Sequence, residues 1–199
     1  EWSVPGAFSD DFDDETASRN RWEAIGEDSA VSYGDSKMSI GRSKNIKVVA
    51  GQENWRNYTV EATLNVGEST RDCGVMFRVT NAASGADAYN GYYVGIKEGR
   101  VVVGFANGKW NSIKEVPADV KKNTDCVLKV VVVGNQFAIC VDGKLVDIVT
   151  PSAQYENGQI GLRSWDNAFT CGKFEVRAVS DEEKDLFGSV FAGFTDDFS

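Results

Sequence analysis

What most constrains this chain is a succession of short runs, from residue 58 to residue 179, in which apolar residues recur at every second position. Tyr58-Thr59-Val60-Glu61-Ala62-Thr63-Leu64 alternates in this way. So do Cys73-Gly74-Val75-Met76-Phe77-Arg78-Val79 and Gly91-Tyr92-Tyr93-Val94-Gly95-Ile96. Period-two spacing sends successive side chains to opposite faces, the geometry of a half-buried strand. In the second run it predicts Val75, Phe77 and Val79 on one face, with Met76 and Arg78 on the other. Turn formers close the runs. Lys97-Glu98-Gly99-Arg100 leads into 101–105, Gly134-Asn135 joins 126–133 to 136–141, and Asp142-Gly143 leads into 144–149. Residues 158–164 and 173–179 complete the series. Many short strands with such punctuation predict an all-β antiparallel sandwich.

After Val179 the period changes. Ser180-Asp181-Glu182-Glu183 has capping-box spacing, and Leu186, Phe187, Val190 and Phe191 follow at helical intervals. A short amphipathic helix is expected there, packing on the sandwich as a spacer. The chain lacks an initiating Met and a leader-like start, so it reads as a fragment or mature form. Phe8-Ser9-Asp10-Asp11-Phe12 recurs as Phe194-Thr195-Asp196-Asp197-Phe198. The recurrence is consistent with a second, similar module opening at the end, or with coincidence. The expected organisation is a linker over 1–7, a sandwich over 8–179, and a helix with linker over 180–199.

Composition removes several functions. With Lys+Arg 21 against Asp+Glu 30, the net charge of −9 opposes binding to phosphate backbones and anionic membranes. No apolar run is long enough to span a bilayer. His is absent, which excludes Ser-His-Asp and Cys-His nucleophile pairs and His-ligated zinc. Cys73, Cys126, Cys140 and Cys171 form no C-x-x-C motif. Counting outward from the Gly134-Asn135 turn pairs Cys140 with Lys129 and disfavours a Cys126–Cys140 bridge. A Cys73–Cys171 bridge and free thiols both remain open. The acidic run Asp10 to Glu15 reads as a loop and invites a structural calcium, yet it lacks D-x-D-x-D-G spacing. No cofactor is expected.

Particular segments carry a resemblance. Asp10-Asp11-Phe12 with Trp22, Asn57-Tyr58-Thr59-Val60-Glu61-Ala62, Gly74-Val75-Met76-Phe77-Arg78 and Gly91-Tyr92-Tyr93 occur in order. Gly134-Asn135, Val141-Asp142-Gly143, Gly158-Gln159-Ile160-Gly161-Leu162-Arg163-Ser164-Trp165 and Phe174-Glu175-Val176 then follow. Over roughly 8–179 this pattern resembles concanavalin A-like jelly rolls. The nearest are carbohydrate-binding module family 66 and laminin-G-like modules of bacterial glycosidases. The resemblance implies a non-catalytic module of a secreted or cell-surface bacterial glycosidase, holding a terminal sugar of a fructan-like or other glycan. Its partners would be that carbohydrate and neighbouring modules of the same polypeptide. The same fold hosts enzymes and structural domains, so hydrolase and adhesive readings stand beside it. The E-x-D-x-x-E motif of family 16 glycoside hydrolases is missing. The 3-keto-disaccharide hydrolases are a looser relative.

Sugar sites combine an aromatic face with fixed hydrogen-bonding groups. Trp165 is the leading stacking residue, because Arg163 lies two positions earlier and is therefore expected on the same face, with Asp166 and Asn167 adjoining. The competing reading has Trp165 plugging one end of the sandwich and Arg163 pairing with an acid. Arg78 and Tyr92 or Tyr93 are expected on the outer sheet face. Resemblance to family 66 adds acidic residues, for which Asp72 and Glu53 are the candidates. Trp110 reads as either a platform or a lid, while Trp22 and Trp55 read as core or edge-covering.

Overall fold

The computed structural model describes residues 8–188. The linker over 1–7, the Phe194–Phe198 recurrence and the apolar positions Val190 and Phe191 lie outside the described residues. Two antiparallel sheets stack face to face. The first contains β1 (Phe8–Asp10), β3 (Val31–Gly34), β4 (Lys37–Ile40), β6 (Tyr58–Asn65), β11 (Cys126–Val133), β12 (Gln136–Val141), β13 (Lys144–Val149) and β15 (Phe169–Arg177). Its order is β13-β12-β11-β6-β15-β4-β3, with β1 also paired to β15. The second contains β2 (Glu23–Gly26), β5 (Ile46–Ala50), β7 (Cys73–Thr80), β8 (Asn90–Lys97), β9 (Arg100–Asn107), β10 (Trp110–Pro117) and β14 (Gln159–Ser164). Its order is β10-β9-β8-β7-β14-β5-β2.

Alternation places Val60, Ala62 and Leu64 of β6 opposite Val75 and Phe77 of β7 and Val94 and Ile96 of β8, all in one buried core. The expected register of the β11–β12 hairpin holds, with Lys129 opposite Cys140. All four cysteines are buried free thiols. Trp22 and Trp55 are buried in the core.

Where a loop was expected near the start, Asp10 belongs to β1 and α1 (Glu15–Arg21) follows. The Asp10 carboxylate accepts from the Phe12 amide, Ser18 Oγ and Trp22 Nε1. Asp14 caps α1 by accepting from the Ala17 amide at 3.0 Å. Glu15 in the first turn and Arg19 and Arg21 in the last suit the helix dipole. These acids are spent on local architecture. Among the described residues no group of three or more metal-ligating side chains is assembled. No described helix is long and apolar enough to cross a membrane.

The capping box after Val179 is present and starts α2 (Asp181–Asp185), shorter than the apolar spacing predicts. Phe187 packs on Val131 and Ala138 of the first sheet's outer face. Glu183 anchors the helix: its carboxylate accepts from Arg177, Thr59 Oγ1 and the Ser180 amide. Burial alone would raise the Glu183 pKa, but these donors pull it down to about 2. A carboxyl depressed in the folded state stabilises fully above its unfolded pKa and loses that contribution on acidification. The free-energy gap between wild type and Glu183→Gln should therefore be about 2 kcal/mol at neutral pH, the scale of charged hydrogen bonds. It should shrink as pH falls from 4.5 towards 2. Urea unfolding at several pH values checks this.

Candidate functional site

β7 alternates regularly as far as Phe77, where its ladder breaks. Arg78 takes a left-handed backbone with φ 52°. Pairing shifts register there against β8, between Phe77 and Thr80, and against β14, between Gln159 and Gly161. This is a β-bulge. Both flanking segments accommodate it with glycine in a positive-φ conformation. A Cβ on Gly158 would lie 2.3 Å from the Arg78 carbonyl carbon, and one on Gly91 2.9 Å from its oxygen. The bulge ends the alternation. Val79 leaves the interior face of Phe77 and joins Met76 in a separate cluster on the sheet's outer face. The expectation that Val75, Phe77 and Val79 share a face, with Arg78 on the outer face opposite, is thereby corrected.

Arg78 is instead only 4% exposed, at the end of the sandwich. Its Nε and Nη2 donate to the Arg56 carbonyl at 3.1 and 2.8 Å, and Nη1 donates to the Tyr155 carbonyl at 2.9 Å. Its amide donates to Tyr58 Oη at 3.0 Å. Tyr92 also faces inward. Its hydroxyl donates to the Ala153 carbonyl at 2.6 Å and accepts from the Tyr155 amide at 3.0 Å. Burial raises its pKa, so it stays a phenol. Arg78 and Tyr92 thus fasten two loops, 52–57 and 150–158, to the end of the second sheet.

Between those loops and the β11–β12 turn opens a cavity of about 340 Å³. Arg78 and Tyr92 form part of its wall, with Arg56, Asn57, Asn135, Gln154, Tyr155 and Glu156 around them. Arg56 and Glu156 pair across it. Asn57 Oδ1 accepts from the Gly134 amide at 3.0 Å and from Arg78 Nη2 at 3.4 Å. The Tyr155 ring packs edge-on to Tyr92 at 5.2 Å, and its hydroxyl donates to the Ala106 carbonyl. Glu53 lies in the same border loop, but it contributes a backbone carbonyl that accepts from Asn157, and its side chain is exposed.

The remaining candidates lie elsewhere. Arg163 projects to the outer face of the second sheet and is 5% exposed, beneath the loop 81–89. Its Nη1 lies 2.9 Å from Asp87 and donates to Tyr89 Oη at 3.1 Å. Its guanidinium stands 4.8 Å from the Tyr93 ring and 5.5 Å from that of Trp110, so Trp110 serves as a cover. Asp72 joins this cluster by accepting from the Tyr93 hydroxyl at 2.6 Å. Lys47, also buried there, donates to the Ala83 and Gly85 carbonyls, and burial followed by the Arg163 charge pushes its pKa down to about 8. Trp165 follows the end of β14 and is 37% exposed. The six candidates therefore do not form one site. Arg78 and Tyr92 share the end cavity with Glu53 at its border, Arg163 and Asp72 share the outer-face cluster, and Trp165 stands apart.

Sequence reasoning missed Arg56, Asn135, Gln154, Tyr155 and Glu156. Only the Gly134-Asn135 turn and the Asn57 segment carried a signal, and neither marks a cavity until topology brings them together.

Residues 7–179 match the model of the 3-keto-alpha-glucoside-1,2-lyase-like domain, and the chain belongs to that family. Among curated proteins, none matches the sequence. The fold is that of the carbohydrate-binding module CBM66 from Bacillus subtilis, at 20% identity and TM-score 0.65, covering 75% of this chain and 91% of that one. Bacillus licheniformis beta-glucanase superposes at TM-score 0.67 and 12% identity, covering 87% and 98%. A Bacillus subtilis protein with a galectin-like fold gives TM-score 0.69 at 9% identity, covering 89% and 98%. The chain is thus a concanavalin A-like jelly roll, an architecture shared by sugar-binding modules and glycoside hydrolases.

Truncating Arg78 strips donors from two loop carbonyls and empties a buried position, and a side chain on Gly158 collides with the bulge. Arg78→Ala and Gly158→Ala should each cost about 2–4 kcal/mol. Trp165→Ala, beyond the strand end, should cost under about 1 kcal/mol. Chemical denaturation of the three variants checks the ranking.

Proposed function

We propose that this domain binds the terminal sugar of a glycan, fructan-like or other, in the end cavity without cleaving it. On this reading it is an accessory module of a secreted or cell-surface bacterial glycosidase, raising the effective substrate concentration by tethering. The observation that carries the reading is the lining of the cavity. Two arginines, one carboxylate and three carboxamides stand around two tyrosine rings. Donors and acceptors of both kinds around an aromatic wall suit a ring whose hydroxyls do both. A volume of about 340 Å³ lies at the lower end of small-molecule sites, typically ~300–1,000 Å³.

The distribution of acids supports binding over hydrolysis. Glycoside hydrolysis takes two carboxylates flanking the bond, ~5–10 Å apart. Glu156 is the one Asp or Glu among the lining residues, and Arg56 holds it in an ion pair. The five central strands of the second sheet, β5, β14, β7, β8 and β9, contain no Asp or Glu. Resemblance to family 66 modules points the same way.

Family membership favours a second reading. A 1,2-elimination on a 3-keto-glucoside needs a single base to take the C2 proton, which the ketone acidifies. The C1–O bond then breaks, leaving a C1–C2 double bond and releasing the alcohol. Glu156 is the group in the cavity able to take that proton.

A glycan array on the isolated chain, followed by calorimetry, tests the binding reading. A neutral oligosaccharide should bind, and Tyr155→Ala should weaken it at least about tenfold, the loss of roughly 1.4 kcal/mol of aromatic contact. Glycan silence would remove the proposal. Consumption of a 3-keto-disaccharide that is lost in Glu156→Gln would replace it with the elimination.

A further inference from the structure

The lining of the end cavity sets two arginines, Arg56 and Arg78, against one carboxylate, Glu156. Glu53, in the bordering loop, is exposed and does not line it. The cavity therefore keeps an excess of one positive charge on a chain whose net charge is −9. What each arginine meets decides what that excess can do.

Arg78 pairs with no acid among the described residues. Its guanidinium hydrogen bonds end on the Arg56 and Tyr155 carbonyls and on Asn57 Oδ1, all neutral acceptors. Their dipoles offset its desolvation but leave its charge in place. Nη1 makes one of these bonds, to Tyr155, so its second hydrogen is unused. Away from bulk water such a charge is screened less than an exposed one.

Arg56 is the second cation. It meets Glu156 through Nη2, while its side chain is 48% exposed. Its Nε and Nη1 donate to no described protein group. One carboxylate thus faces two guanidinium groups and covers only part of one.

We infer that the sugar this cavity recognises is acidic, a hexuronate at the end of a glycan chain. The inference rests on the end-cavity reading above and narrows its ligand. The ring lies against Tyr155, and its hydroxyls meet the exposed carboxamides of Asn135 and Gln154. Its carboxylate pairs with the free donors of Arg56 in the field of Arg78. Size favours a carboxylate over other anionic substituents. A uronate carries COO⁻ where a neutral hexose carries CH₂OH and keeps its bulk, whereas a sulfate ester adds a tetrahedral group. A cavity of about 340 Å³ lies near the lower bound for small-molecule sites and leaves little room for that addition.

Calorimetry on the full chain, with oligosaccharides matched except at the non-reducing end, tests this. One ends in a hexuronate, one in the neutral hexose and one in the hexose 6-sulfate. The uronate chain should bind at least about threefold more tightly than the neutral chain at low salt, the scale of an exposed charge pair. That preference should fade towards ~1 M salt. Arg56→Gln should abolish it, and Glu156→Gln, which releases Arg56, should enlarge it. Tyr155→Ala should weaken both chains alike. Equal binding of the uronate and neutral chains, tighter binding of the sulfated chain, or a preference that survives Arg56→Gln overturns the inference and leaves the end-cavity reading in place. Neutral glycans bound on the array with no uronate bound do the same. Silence from every glycan removes both.

Discussion

The bulge at Arg78 is the constraint from which one end and the outer face of the second sheet take their shape. A left-handed residue in the middle strand of a sheet is costly, and it persists only where the surroundings fix it. Here the surroundings are specific: Gly91 and Gly158 leave room on both sides, Tyr58 receives the amide, and three guanidinium bonds reach two carbonyls. The charge is enclosed, but each donor in use meets a backbone dipole, which offsets its desolvation. In return, two loops far apart in sequence are held at a fixed separation, and the cavity between them is framed rather than fluid.

The same bulge redirects the chain. Because Val79 turns outward, the loop 81–89 leaves on the outer side of the second sheet and lies across it. There it meets Lys47 and Arg163, two cations that the alternation of β5 and β14 sends to that face. Carbonyls of Ala83 and Gly85 take the lysine, while Asp87 and Tyr89 take the arginine. Gly95 and Gly104 on the adjoining strands lack the Cβ that would strike the Tyr93 and Trp110 rings, so both rings approach the sheet closely and meet edge to face. β7, β8 and β9 are consequently buried on both faces, which explains why their sequences are apolar beyond simple alternation.

That double burial also marks how far the sequence is legible. Hairpins with Asn-Gly-like turns and clean alternation, such as β11–β12 and β12–β13, follow from local chemistry down to the Lys129–Cys140 pair. The first helix does not, because Asp10 to Glu15 is acidic and short, and its role as a cap depends on Ser18 and Trp22 returning to Asp10. Strand alternation put Arg163 on one face with Trp165 but could not show that the face is the outer one or that the loop 81–89 covers it. It failed outright at Arg78, where a bulge specified by glycines on two other segments overrides the period. Trp165 was assigned to the face of Arg163 by extending β14 one residue beyond Ser164, where the strand ends. Of the six candidate residues, the sequence identified the side chains that organise the cavity better than those that line it, since organisers sit on strands and lining residues on loops.

The packing of both sheets' faces also decides where recognition is possible. The first sheet's outer face is partly covered by α2 through Phe187 and the Glu183 ion pairs, and the second by its own loop. The open concavities with converging polar groups therefore lie at the two ends, where strands stop and loops begin. The ends differ in their lining for a topological reason. At one, Arg56 pairs with Glu156 and Arg78 donates to loop carbonyls, beside three carboxamides and two tyrosine rings. At the other, Asp166 from the turn after β14 serves arginines from two different loops, and Glu68 adds a second carboxylate. Each end thus sets arginines from separate segments against carboxylates, and what either end can recognise depends on where the loops place those groups.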